Sequence, residues 1–221
     1  MFNTILFDWD GTLLDSNELI NESNIYALNK FGNRIFTEND VKPFNGQNLR
    51  DVYQKLYPGL EDKILKVYNT YSDERHDQSV KLFPEVKQVL FSLKRQGCCL
   101  GVVSMKRKSM VKHGIELFNL DSTFDVVIGG DECRRKKPDG EPILLAMQKV
   151  KANFEFTLMV GDNWQDIASA NNAKVKSVFV NWSQKSYKQV QQYHPTYCID
   201  KMTDLLEIVK EKNKNDSTSK S

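Results

Sequence analysis

Asp8 and Asp10 stand two residues apart at the end of Thr4-Ile5-Leu6-Phe7, a short apolar run of strand-forming residues. Side chains two apart on a strand point the same way, so both carboxylates project together from its end. Gly11 then lets the chain turn sharply, with its amide facing the same point. Adjacent carboxylates repel each other, and a divalent cation between them removes that cost; magnesium prefers such oxygen ligands. The same residues also suit an ordinary acidic strand-to-turn junction. Three further polar stretches bear on the choice. Ser104 follows the apolar Val102-Val103, Lys137 lies in the segment after Val126-Val127-Ile128, and Gly161-Asp162-Asn163-Trp164-Gln165-Asp166 follows Met159-Val160. With Asp8 and Asp10 they would bring two carboxylate clusters, a hydroxyl and an ammonium to one rim. That inventory suits phosphoryl transfer, in which a carboxylate attacks phosphorus, a metal neutralises charge, and fixed cations and amides hold the oxygens. Ser104 and Asp162 also suit helix N-caps.

The elements that must position these groups follow from periodicity. The spacing predicts a helix over 17–30, ended by Phe31-Gly32-Asn33, and Thr37 caps a short helix before the loop Pro43-Phe44-Asn45-Gly46-Gln47. Two more helices run through Leu49, Val52, Tyr53 and Leu56, and through Leu60, Ile64, Val67, Tyr68 and Tyr71. No strand is expected between 15 and 78, so residues 15–82 read as an inserted all-helical cap. From Phe83 helices and strands alternate. Strands are expected near 99–103, 125–128, 156–160 and 175–180. Helices are expected from Pro84 to Leu93 and over 108–117, 142–151, 164–173 and 203–210, with Ile143, Leu144, Ala146, Met147 and Val150 inward in the third. This is the pattern of an α/β core, residues 1–14 and 83–210, with a doubly wound, mostly parallel sheet covered on both faces. Such sheets bind ligands at the carboxyl ends of their strands, where the winding reverses. Residues 211–221 contain no apolar side chain and are expected to be a disordered tail.

The chain has 221 residues, 40% hydrophobic and 27% charged, which fits a soluble globular protein with a full core. Its net charge of +2 is too small to imply nucleic-acid binding by bulk electrostatics. No apolar run reaches transmembrane length and no signal-peptide pattern is present, so no membrane partner is expected. Cys98, Cys99, Cys133 and Cys198 lack zinc-like spacing, and free thiols in a reducing cytoplasm are the expectation. Arg134-Arg135-Lys136 reads as a solvated basic loop or a nuclear signal. Oligomeric state is not legible.

Four segments, Asp8-Trp9-Asp10-Gly11-Thr12-Leu13-Leu14-Asp15-Ser16, Val102-Val103-Ser104-Met105-Lys106, Lys137-Pro138-Asp139-Gly140-Glu141-Pro142 and Val160-Gly161-Asp162-Asn163-Trp164-Gln165-Asp166-Ile167, occur in an order that resembles the haloacid dehalogenase superfamily. The likeness is to its phosphoglycolate-phosphatase-like branch with a helical cap. The resemblance implies that Asp8 is the nucleophile of an aspartyl-phosphate and that Asp10 protonates the leaving group, then activates water. It implies Mg2+ held by Asp8, the backbone carbonyl of Asp10 and Asp162, with Asp166 in support. Ser104, the Met105 amide and Lys137 would grip phosphate, with further contacts from Gly11 and Thr12. Lys106 has a precedent near the site, and Trp9 is expected to pack. Gly46-Gln47-Asn48-Leu49-Arg50 resembles the cap loop that faces the active site, where Arg50 would bind a second anionic group or be a surface arginine. The implied activity is hydrolysis of a small phosphorylated metabolite. A phosphosugar mutase or a pyrophosphatase would use the same chemistry, and a phospho-receiver or binding module is the rival from another class. The dehalogenase and phosphonate-cleaving branches lack a counterpart of Asp10. Gly140, Lys174 and Ser183 depart from the residues usual in relatives, proline for the first and glycine for the other two, and none is expected to touch the chemistry.

Overall fold

The computed structural model describes residues 1–215. In chain order its strands and helices are β1 (Thr4–Phe7), β2 (Leu14–Asp15), α1 (Asn17–Phe31), α2 (Glu38–Val41), α3 (Leu49–Leu56), α4 (Glu61–Ser79), β3 (Lys81–Leu82), α5 (Val86–Arg95), β4 (Cys99–Val103), α6 (Lys108–Leu117), β5 (Val126–Ile128), α7 (Glu141–Val150), β6 (Thr157–Gly161), α8 (Trp164–Asn172), β7 (Lys176–Val180), α9 (Tyr187–Val190), β8 (Tyr197–Ile199) and α10 (Asp204–Asn215). The chain divides into two compact units, Met1–Leu14 with the chain from Leu82 onward, and Asp15–Lys81.

The first unit is an α/β sheet of six strands in the order β5-β4-β1-β6-β7-β8, and every neighbouring pair is parallel. From β1 the chain steps to β4 and β5 on one side, then returns to β6, β7 and β8 on the other. The winding therefore reverses beside β1, and the carboxyl end of β1 is the switch point at which such sheets bind ligands. All four residues of β1 and all five of β6 are buried, so both faces of the sheet are covered, as the expected doubly wound arrangement requires. On one face Leu6, Val103, Ile128 and Met159 pack with Ile143, Ala146 and Met147 of α7 and Ala170 of α8. Fully burying an aliphatic side chain of this size contributes roughly 1.5–3 kcal/mol.

The second unit is helical, with α1 packed on α4 and a core of Ala27, Leu28, Phe36, Val41, Val52, Tyr53 and Ile64. α1 also buries polar residues, each partnered. Ser23 Oγ donates to the Leu19 carbonyl at 2.6 Å, Asn24 Nδ2 to the Ile20 carbonyl at 2.8 Å, and the Tyr53 hydroxyl to Asn24 Oδ1 at 2.7 Å. Thr37 caps α2, with Asp40 accepting from its amide and hydroxyl.

Several local expectations need correction. Leu144 is 39% exposed, not inward. Ile143 and Met147 occupy the α7 stripe, and a residue one position on from Ile143 is turned about 100° away from it. Cys98 is buried just ahead of β4, and all four cysteines are free, as expected. β8 was not expected, being three residues long. α10 runs to Asn215, past the expected end at 210, and the rest of the expected tail lies outside the described residues. Among the described residues no helix is long and apolar enough to cross a membrane.

Candidate active site

At the end of β1 the Asp8 amide still donates to the Val160 carbonyl of β6, at 2.9 Å, so the sheet ladder holds Asp8 in place. The chain then folds over itself: the amides of Leu13 and Leu14 both donate to the Trp9 carbonyl, at 3.0 and 2.9 Å. Gly11 makes this turn at φ +80°, and a side chain there would overlap the carboxylate of Asp162. Trp9 packs its buried ring against Gly114 of α6 and edge-on to Phe124.

β6 and the start of α8 deliver the second acidic cluster. Asn163 is the N-cap of α8, its side chain accepting from the Trp164 amide at 2.8 Å. That assignment leaves Asp162 without a capping duty. Asp162 is 7% exposed and accepts from two hydroxyls, Thr12 Oγ1 on Oδ1 at 3.3 Å and Ser183 Oγ on Oδ2 at 2.6 Å. Asp166 takes the Asn163 amide on Oδ2 at 3.1 Å and Lys137 Nζ on Oδ1 at 2.6 Å. Lys137, from the segment between β5 and α7, also reaches Asp8 Oδ1 at 3.1 Å, with its side chain only 2% exposed. Carboxylate oxygens of Asp8, Asp162 and Asp166 all lie within 4.8 Å of one another.

Asp10 leaves this trio. Lys106 Nζ bridges both its carboxylate oxygens at 3.0 and 3.2 Å. Ser104 is buried and its Oγ accepts from the Lys106 amide at 3.2 Å. It is not a helix cap, since α6 begins four residues later, at Lys108, behind its N-cap Arg107. Met105 lies beside it, its carbonyl packed on Gly130. Arg50 belongs to the second unit, where it forms a two-pronged ion pair with Asp62 at 2.8 and 3.1 Å. Arg134 and Arg135 are exposed, and Arg135 pairs with Glu141. The sequence places Lys106 near the site but gives it no partner, and it gives Ser183 no role. Ser183 was expected to stay clear of the chemistry; its bond to Asp162 corrects that.

The electrostatics follow from crowding. Burial pushes the Asp8 carboxyl well above its usual value; Lys137 opposes this, while Asp166, Asp162 and Asp10 add to it. Burial, then Asp166, push Asp162 up to about 7 against the hydrogen bond from Ser183. Burial works against the Lys137 ammonium, but Asp166 and Asp8 outweigh it and hold the lysine charged. Three carboxylates around one ammonium leave two surplus negative charges in a buried place. A divalent cation balances that excess, and an all-oxygen donor set suits magnesium. Asp166 gives one oxygen to the Lys137 ammonium and the other to the Asn163 amide, whereas the hydroxyls of Thr12 and Ser183 on Asp162 leave its charge for a cation; Asp162 therefore suits a cation better, and Asp166 is placed to orient Asp8 through Lys137.

Known proteins resemble this chain over most of its length. The model of the haloacid dehalogenase-like hydrolase family matches residues 5–180. Pyrophosphatase PpaX of Bacillus mycoides (strain KBAB4) is 39% identical over 207 residues, 94% of this chain and 96% of the relative. A solved haloacid dehalogenase-like hydrolase from Bacteroides fragilis superposes with a TM-score of 0.87 at 27% identity, over 93% of this chain and all of that one. A predicted phosphatase from Clostridium acetobutylicum gives 0.86 at 26% identity, over 96% and 99%.

Proposed function

The chain belongs to the haloacid dehalogenase-like hydrolase family, and within it we propose a magnesium-dependent enzyme that releases phosphate from a small phosphorylated compound through an aspartyl-phosphate on Asp8. The observation that carries the reading is the buried trio Asp8, Asp162 and Asp166 with Lys137 bonded to two of its members. Asp8 is the nucleophile: one carboxylate oxygen attacks phosphorus and the leaving oxygen departs on the far side. Lys137, Ser104 and the Met105 amide bind the phosphate oxygens and hold them as charge develops. Asp10 gives its proton to the leaving oxygen, then takes one from the water that cleaves the acyl phosphate. Lys106, bonded to both Asp10 oxygens, sets the orientation of that carboxylate. Magnesium, when bound by Asp8, Asp162 and the Asp10 carbonyl, supplies positive charge that lets an anionic substrate approach an anionic nucleophile. The helical unit Asp15–Lys81 acts as a cap that excludes water and selects the substrate.

Inorganic pyrophosphate is the substrate favoured by the relative named as a pyrophosphatase, at 39% identity over nearly the whole chain. A small phosphomonoester such as phosphoglycolate is the second reading, supported by the likeness of the four segments to that branch. Phosphate release from pyrophosphate, phosphoglycolate and sugar phosphates, each with magnesium and with chelator, tests both. Metal-dependent release with a preference for pyrophosphate is expected. Asp8→Asn protein turning over at full rate, or release unaffected by chelator, would overturn the mechanism. Isomerisation of a sugar phosphate without release would make the chain a mutase.

A further inference from the structure

We propose that Ser183 is a positioning residue for the metal: its hydroxyl fixes the carboxylate of Asp162 and so sets how tightly the protein holds a divalent cation. The inference rests on the reading of Asp162 as a metal ligand. Ser183 comes from the loop after β7, remote in sequence from the turn and the helix that build the rest of the site. Its Oγ lies 2.6 Å from Asp162 Oδ2. An ionised carboxylate only accepts, so the serine donates, and the distance is that of a charge-assisted bond. Thr12 holds the other oxygen at 3.3 Å, a longer and weaker contact. Each oxygen thus accepts from a hydroxyl, a neutral donor that leaves the charge of the carboxylate for a cation.

The loop is itself anchored. The indole Nε1 of Trp182 donates to the carbonyl of Thr12 at 3.2 Å, and its ring lies 6.2 Å from that of Phe83. The residue before Ser183 is therefore tied to the same turn that carries Thr12 and Gly11, and Gly11 forms the wall against which the Asp162 carboxylate rests. Wall, two hydroxyls and tether leave the carboxylate one orientation. Glycine in place of Ser183 would keep the loop but leave Oδ2 to mobile water. Loss of such an outer hydrogen bond typically weakens metal binding about 10–100-fold.

The test is magnesium binding by titration calorimetry on the full chain, paired with thermal unfolding at rising magnesium. Ser183→Ala and Ser183→Gly are expected to bind magnesium at least 10-fold more weakly, while Ser183→Thr, which restores a hydroxyl, binds within a few-fold of the unaltered protein. At saturating magnesium the substrate KM of all three is expected to be unchanged, with the defect confined to the metal concentration needed for half-maximal rate. Unaltered affinity in Ser183→Ala, or no rescue by threonine, would overturn the role of Ser183. Asp162→Asn separates the two levels. If it loses magnesium while Ser183→Ala does not, only this inference fails; if it binds magnesium normally, the metal site fails with it.

Discussion

The two units bury polar groups in opposite ways. In the first, charged side chains are nearly sealed from solvent and joined across long stretches of chain: Lys137 meets Asp8 and Asp166, and Lys106 meets Asp10. In the second, the hydrogen-bonded interior of α1 and α3 is made of neutral groups. Ser23, Asn24 and Tyr53 satisfy one another or the helix backbone, and burial pushes the Tyr53 phenol up, so it stays uncharged. The ion pair Arg50–Asp62 of that unit sits at the surface. A satisfied neutral network holds helices in register at small cost. A cluster of three carboxylates and one ammonium is poor for stability, since replacing buried charge by apolar groups is often neutral or better. The crowded buried charge lies where the proposed chemistry is, and the interior between α1 and α3 carries none.

Removing the central cation should break this contrast most forcefully. Lys137→Met leaves Asp8 and Asp166 without their shared partner. Turnover is expected to fall at least about 100-fold, as when a fixed donor to a developing charge is removed. Stability of the metal-free protein is expected to drop by about 3–5 kcal/mol, the usual cost of leaving half of a buried pair. The counterpart in the second unit is Asn24→Ala, which orphans the buried Tyr53 hydroxyl. It should cost about 1–3 kcal/mol in denaturant unfolding and leave the metal affinity of the first unit alone. Equal losses of metal affinity in both variants would erase the distinction.

The sign of a third effect is less intuitive. Asp162 has its pKa raised from 3.8 to about 7 when folded. A carboxyl raised on folding stabilises below its unfolded value, and that contribution is lost as pH climbs from about 4 through 7. Asp8, pushed up by the same burial, acts in the same direction. In chelator, therefore, the protein should melt at a lower temperature at pH 8 than at pH 5, and magnesium at pH 8 should restore the difference. Asp162→Asn removes one ionisation, so the metal-free variant should lose less between the two pH values while failing to turn over substrate. Melting curves with and without magnesium check it. A variant whose pH dependence matched that of the unaltered protein would mean that the surplus charge is relieved in another way.

What could be read from residues alone follows the same division. The strand ends near Phe7, Val103, Ile128 and Val160 are legible because continuous apolar runs stop abruptly at polar residues or glycine, and a parallel sheet places those ends on one edge. Asn163 was available as a better cap than Asp162 because it precedes the helix directly, a local signal. The partners of Ser183 and Lys106 were not legible, because their bonds to Asp162 and Asp10 join segments that meet only in the folded sheet. The Leu144 error has a simpler cause: Leu144 stands three before Met147, a spacing that fits the stripe, but Ile143, Ala146 and Met147 fill the buried face and leave Leu144 at its edge. β8 is too short for an alternation to be seen.

The smallest expected effect lies at Arg50, and it sharpens the comparison because the second unit should matter for choice rather than for chemistry. The guanidinium is 48% exposed and its partner Asp62 70% exposed, so the pair is solvent-screened. Exposed pairs of this kind contribute little to stability, and Arg50→Ala should leave the unfolding midpoint nearly unchanged. Asp62 also holds the guanidinium in a fixed fork, the geometry that matches phosphate or carboxylate. If Arg50 reads a second anionic group, Arg50→Ala raises KM for pyrophosphate several-fold and leaves KM for an uncharged-tail aryl phosphate unchanged, with kcat on the aryl phosphate intact. Identical ratios across the two substrates would reduce Arg50 to a surface ion pair.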